Sequence, residues 1–130
     1  MRYLIPLLAI VLAVPGCGPG RTTSDRDLTI LDTDEVAHAM EEHAPVVFVD
    51  VRNREAYEAG HLPDAIHMPL PEMAANDDRL TEARTIIVYG RGAGSRLAAA
   101  GAKKLIRLGY TGVAEFRGGI EAWEDDGDAD

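Results

Sequence analysis

The sequence predicts an α/β domain with a mostly parallel sheet. Two runs, Val46 to Val51 and Thr85 to Tyr89, have strand length and are almost continuously apolar. Strands covered by helices on both faces read that way. Helix-like stretches alternate with strand-like ones from residue 28 to about 124, the order that places helices on the faces of a parallel sheet. The chain has 130 residues, enough for one ordinary domain, and 46% of them are hydrophobic. Aromatic residues are only 5%, with one Trp, so the expected core is aliphatic and rich in alanine.

The elements follow in order. Leu28 to Ile30 is a short strand candidate. Asp32, Thr33 or Asp34 can cap a helix running to about His43, with Val36, Ala37 and Met40 on one face. Pro45 closes it. The strand over Val46–Val51 follows, then a short helix capped by Asn53 that carries Ala56, Tyr57 and Ala59 and stops at Gly60. Ala65 to Met68 reads as a short strand between Pro63 and Pro69, and Pro71 to Glu82 as a looser, acidic, helical stretch. After the strand Thr85–Tyr89, Leu97 to Leu108 is a helix with Ala98, Ala102, Leu105 and Ile106 toward the sheet, ended by Gly109. Val113 to Phe116 is a last strand. Gly118 and Gly119 turn into a short helix with Ile120 and Trp123, and the tail from Glu124 to Asp130 is acidic and expected to fray.

Residues 1–16 read as an export signal. Arg2 supplies a short positive region, and Leu4 to Val14 an apolar run interrupted by Pro6. The run is shorter than the ~20 apolar residues of a membrane-spanning helix. Gly16 directly before Cys17 resembles a bacterial lipobox, in which the cysteine thiol is acylated and becomes the new N-terminus. The plainer alternative is an ordinary cleaved signal with an incidental cysteine. An isolated thiol in an exported chain favours the anchor, since Cys17 is the only cysteine. Residues 17–27 are then a lipidated cysteine and a flexible tether of Gly, Pro, Ser, Thr and charged residues. The expected location is the cell envelope, on a membrane through the lipid. Gly18 after the cysteine, in place of Asp, favours outer-membrane sorting where there are two membranes.

The candidate site is the loop Gly90, Arg91, Gly92, Ala93, Gly94, Ser95, leading into a helix near Arg96. Ligands of open α/β sheets bind at the carboxyl ends of strands, and this loop follows one. Three glycines let several N–H groups turn inward, and the following helix adds partial positive charge. Ser95 can cap that helix or donate to a bound oxygen, and Arg91 and Arg96 add charge. The loop suits phosphate, sulfate, thiosulfate or a carboxylate; it also suits a plain strand-to-helix turn. A dinucleotide fingerprint fits badly, because Ser95 stands where the third glycine belongs and the loop comes late in the domain.

The whole pattern resembles the rhodanese family. The resemblance rests on Val49-Asp50-Val51-Arg52, Glu55-Ala56-Tyr57, Gly60-His61-Leu62-Pro63-Asp64-Ala65 and Met68-Pro69-Leu70. Ile87-Val88-Tyr89 with the loop, Leu105 to Gly109, and Arg117 to Trp123 add to it. It implies a five-stranded parallel sheet flanked by helices on both faces, over residues 28–124. It also implies a catalytic cysteine directly after the strand, where this chain has Gly90. Such a thiolate carries sulfane sulfur as a persulfide, its pKa lowered by loop N–H groups and the helix N-terminus. Glycine cannot do this, and Ser95 forms no comparable sulfur carrier. Cysteine-based phosphatase chemistry is excluded on the same ground. Asp50 and Arg52 are expected to support the loop by pairing or bonding to backbone, and His61 to be a turn residue. His38, His43 and His67 lack ligand-like spacing, so no metal is expected, and no cofactor.

A formal charge of −9 argues against nucleic acid as a partner. The leading expectation is a membrane-anchored module, without sulfur transfer, that binds a small inorganic or organic anion or an envelope protein. The rival is an enzyme: a divergent thiosulfate sulfurtransferase, or Ser95-dependent chemistry in the same loop. The third class is a purely structural interaction module.

Overall fold

Short β-branched runs bounded by turns pair into one sheet in the computed structural model, which describes residues 28–42 and 44–128. The export signal, Cys17, the tether and His43 lie outside the described residues. Five strands, β1 (Thr29–Leu31), β2 (Val46–Asp50), β3 (Ile66–His67), β4 (Thr85–Tyr89) and β5 (Val113–Phe116), lie in the order β1-β5-β4-β2-β3. Every pair is parallel. The central strand β4 places Tyr89 opposite Asp50 of β2 on one side and Phe116 of β5 on the other. The predicted five-stranded α/β architecture is therefore the one observed.

Helices cover both faces. Helix α1 (Thr33–Glu41) starts in a capping box: Glu35 N–H donates to Asp32 Oδ1 and Asp32 N–H to Glu35 Oε2, both at 2.8 Å. It stops at Glu41, earlier than expected, because Glu42 is already extended. Helix α2 (Arg54–Ala59) is capped by Asn53 and ends at Gly60, as its sequence predicts. The segment 71–82 is not one helix. It splits into a 3-10 turn over Leu70–Glu72 and the single-turn helix α3 (Asp78–Thr81), with Asn76 between them at φ 57°. The Tyr110 hydroxyl pins the break, donating to Ala74 O at 2.6 Å and accepting from Asp77 N at 2.9 Å. Helix α4 (Leu97–Arg107) is followed by Gly109 at φ 100°. Helix α5 (Gly119–Asp128) runs through the segment expected to fray.

The sheet separates two apolar clusters. On one face, Val49, Val51, Ile86 and Val88 meet Ala98, Ala102 and Leu105 of α4 and Leu80 of α3. Gly101 of α4 is buried there because a Cβ would come within 3.0–3.2 Å of Val51, Met73 and Val88. On the other face, Phe48, Ile87, Tyr89 and Phe116 meet Val36 of α1 and Ile120 of α5, with Tyr57 and Trp123 packed alongside. Burial of these aliphatic side chains contributes on the order of 1.5–3 kcal/mol each before conformational entropy is charged against it.

One glycine outside the helices sets a turn the sheet needs. Gly112 has φ 69°, and its carbonyl accepts from Ile86 N–H at 2.9 Å, joining the β5 entry to β4. A Cβ there would overlap the Arg84 carbonyl oxygen. Gly112→Ala is expected to destabilise the fold by about 1–3 kcal/mol, read as a lower urea midpoint; an unchanged midpoint would contradict this account of the turn.

Candidate functional site

The chain leaves β2 toward β3 at one edge and leaves β4 toward β5 in the other direction. The carboxyl ends of β2 and β4 therefore bound a topological switch point, where open α/β sheets form their crevice. A cleft of about 930 Å³ lies there. Its walls come from the β2 exit (Arg52, Asn53), the loop after β4 (Arg91, Gly92, Gly94, Ser95) and α5 (Ile120, Glu121, Glu124).

The loop is fixed from behind by α5. Ile120 N–H donates to Gly90 O at 3.1 Å and Glu121 N–H to Arg91 O at 3.0 Å. The first donors of a helix otherwise have no partner, so this contact satisfies both elements. It requires Gly119, at φ 60°, where a Cβ would stand 2.5 Å from Gly90 O. With two carbonyls taken up this way, the N–H groups of Arg91, Gly92, Ala93 and Gly94 donate to no other described residue. Ser95 N–H closes a turn onto Gly92 O at 3.0 Å.

The residues of the expected anion loop occupy distinct environments. Gly90 is buried directly after β4, and a Cβ there would meet only ordinary contacts, Ser95 Oγ at 3.7 Å and Ala98 N at 3.8 Å. Ser95 Oγ accepts from Leu97 N–H at 3.3 Å, but the N-cap of α4 is Arg96 and carries no side-chain cap bond, so the expected Ser95 cap is not formed; among the described residues no histidine or carboxylate bonds to Ser95 Oγ. Arg91 does not face the loop alone: its Nε donates to Glu121 Oε1 at 2.9 Å. Glu121 Oε2 lies 2.5 Å from where a Gly92 Cβ would stand. The positive charge expected from Arg91 beside the loop is thus offset by Glu121. Arg96 is exposed and lies outside the cleft wall.

Asp50 and Arg52 pair as expected, and their bonds brace the β2 exit rather than the loop itself. Arg52 Nη2 meets Asp50 Oδ2 at 2.8 Å and Nε meets Oδ1 at 3.1 Å. The same guanidinium donates to Gly60 O at 2.6 Å, closing α2 onto the strand. The bond to Asp50 raises the Arg52 pKa, more than burial lowers it. Beside them Tyr89 is fully buried, and its hydroxyl accepts from Leu62 N–H at 3.1 Å. Burial pushes the Tyr89 phenol well above its usual range, so it stays neutral. His61 is a turn residue, its Nδ1 2.8 Å from Tyr57 O and its ring stacked on Tyr57 at 4.0 Å. His67 Nε2 lies 2.7 Å from Arg52 O. Among the described residues no group of three His, Cys, Asp or Glu could hold a metal ion.

Sequence reasoning missed a second buried carboxylate. Glu115 of β5 is 1% exposed and meets Arg117 Nη2 at 3.0 Å. Its spacing repeats that of Asp50 and Arg52, an acid followed two residues later by arginine at a strand exit. That repeat was the available signal.

Comparison with known proteins fits this geometry. The rhodanese-like domain profile matches residues 32–126. This chain belongs to the rhodanese-like domain family. The rhodanese-like chain is 34% identical over 93 residues to the thiosulfate sulfurtransferase GlpE of Pseudomonas syringae pv. syringae, covering 68% of this chain and 81% of that protein. It is 34% identical over 112 residues to the adenylyltransferase and sulfurtransferase UBA4 of Candida albicans, covering 75% of this chain but only 23% of UBA4. The crystal structure of the BH2092 protein of Bacillus halodurans superposes with a TM-score of 0.68 at 32% identity, covering 76% of this chain and 73% of that one. The rhodanese-like sheet and its sulfurtransferase homologues are thus established together.

The Asp50–Arg52 pair yields a prediction. Asp50 has no exposed surface and the Arg52 side chain is 12% exposed, so removing the arginine strands a buried carboxylate. Arg52→Ala is expected to cost about 3–5 kcal/mol in urea unfolding. A loss under ~1 kcal/mol, the scale of an exposed pair, would show that the carboxylate finds another partner.

Proposed function

We propose that this protein is a rhodanese-like module, held at a membrane through Cys17, that binds a small anion at the loop 90–95 without transferring sulfur. The observation that carries the reading is Gly90. It stands at the first position after β4, facing the α4 N-terminus, where the resemblance implies a thiol. The unbonded N–H groups of residues 91–94 and the cleft in front of them support a bound anion, such as thiosulfate, sulfate or a carboxylate. Ser95 Oγ accepts from Leu97 N–H, and among the described residues no base bonds to it, which weighs against chemistry through its hydroxyl.

A specific observation supports the enzymatic rival enough to test it: the chain's homologues include a thiosulfate sulfurtransferase. The purified chain is expected to give only background turnover with thiosulfate and cyanide. Thiosulfate at ~100 times its dissociation constant should stabilise the protein by ~2.7 kcal/mol in thermal unfolding. Gly90→Asp places a negative charge in the loop and should abolish that shift. Gly90→Cys adds a Cβ that meets only ordinary contacts, and with thiosulfate its thiolate should take the outer sulfur and release sulfite, forming a persulfide visible by mass. Clear wild-type turnover, lost in Gly90→Asp, would replace this reading with a divergent sulfurtransferase. No shift with any anion would favour a protein-interaction module at the envelope.

The anchor has a separate test. Intact mass of the membrane fraction is expected to show a chain beginning at Cys17 with added acyl mass. A soluble product starting elsewhere would refute the anchor.

A further inference from the structure

The charges on the cleft wall do not suit an anion alone. Four charged side chains line it: Arg52, Arg91, Glu121 and Glu124. Arg52 is neutralised by the buried Asp50, and Arg91 is paired with Glu121. The Glu124 carboxylate has no hydrogen bond or ion pair to another described residue. Its Oε1 lies 3.9 Å from where a Gly60 Cβ would stand, so its carboxylate sits beside the end of α2 at the cleft wall. Glu121 and Glu124 are three residues apart on α5 and therefore share a face. The cleft thus offers hydrogen-bond donors on the loop side and an uncompensated carboxylate on the helix side.

An inorganic anion entering this space meets two penalties. It competes with Glu121 for Arg91, and it brings like charge toward Glu124. A ligand that carries both signs meets neither. Its anionic group takes the loop N–H groups and shares Arg91, while its cationic group compensates Glu124 and the loosened Glu121. The Arg91 side chain is 79% exposed and that of Glu121 56%, so the pair between them is weak enough to be exchanged for ligand contacts. The cleft, at about 930 Å³, has ample room for a ligand of amino-acid size.

We propose that the cleft between the loop 90–95 and α5 takes a small zwitterion of the amino-acid class, with its carboxylate at the loop and its ammonium at Glu124. This rests on the loop's reading as an anion site and narrows it to one ligand class. Glu124 is the residue that sets the preference, and Glu121 assists it.

Cysteine and 3-mercaptopropionate make a matched pair of probes, because they differ only in the ammonium group. Their binding to the purified full-length chain is measured by calorimetry near neutral pH under reducing conditions, with thiosulfate as a third ligand. Cysteine is expected to bind about fivefold more tightly than 3-mercaptopropionate, the scale of one exposed ion pair. In Glu124→Gln the two should fall within twofold of each other, through weaker cysteine binding. Glu124 is exposed, so the variant keeps its fold. Equal or tighter binding of 3-mercaptopropionate by the wild type overturns the proposal, as does a preference that survives Glu124→Gln. Thiosulfate binding without cysteine binding overturns it and leaves the anion site standing. No binding by any of the three removes both.

Discussion

Two peptide hydrogen bonds organise this end of the molecule: Ile120 N–H to Gly90 O, and Glu121 N–H to Arg91 O. They dock the start of α5 onto the loop after the central strand. Several features follow from that contact. Two loop carbonyls, of Gly90 and Arg91, are taken up by α5, and the N–H groups of residues 91–94 bond to no other described residue. Gly119 must be a glycine, both for its positive φ and for the close approach to Gly90. Glu121, carried in by the same helix, lies against Gly92 and pairs with the Arg91 guanidinium. The charge character of the cleft is therefore set by α5 as much as by the loop.

The ion pairs around the sheet's carboxyl edge fall into two classes with different roles. Asp50 and Glu115 are buried carboxylates, each held by an arginine two residues later. Breaking the Asp50–Arg52 pair leaves a desolvated charge, a cost on the order of 3–5 kcal/mol, whereas the Arg117 side chain is 44% exposed and solvent screens its pair with Glu115. Arg91 and Glu121 form an exposed pair, of a kind that contributes about 0.2–1 kcal/mol. The edge is therefore rigid beneath and adjustable at the rim. This division suits a site whose backbone donors must stay aligned while side chains exchange partners.

The sheet was legible because its signals are local and strong. Val46 to Val49 and Thr85 to Tyr89 are short apolar runs with few ways to be anything but buried strands, and Val113 to Phe116 is apolar apart from Glu115. Asn53, Gly60 and Gly109 mark their helix ends by capping chemistry alone. The segment 71–82 was not legible, because a distant hydroxyl, that of Tyr110, decides where it breaks. The length of α5 was missed for a related reason. Its acidic sequence looks solvated, yet Ile120 and Trp123 pack onto the second cluster and hold the helix in place. At the site, the loop and the Asp50–Arg52 pair could be read from spacing. Glu121 could not, since only the fold brings it to Arg91, thirty residues away in sequence.

Trp123 gives this arrangement an optical consequence. It is the only tryptophan in the chain, it lies two residues beyond Glu121, and it packs with the cluster beneath α5. Indole emission depends on local polarity, so all the fluorescence of this protein excited at the red edge comes from the helix that clamps the loop. The wild-type molecule therefore carries its own reporter of how α5 is seated, with no label to attach and no second fluorophore to subtract.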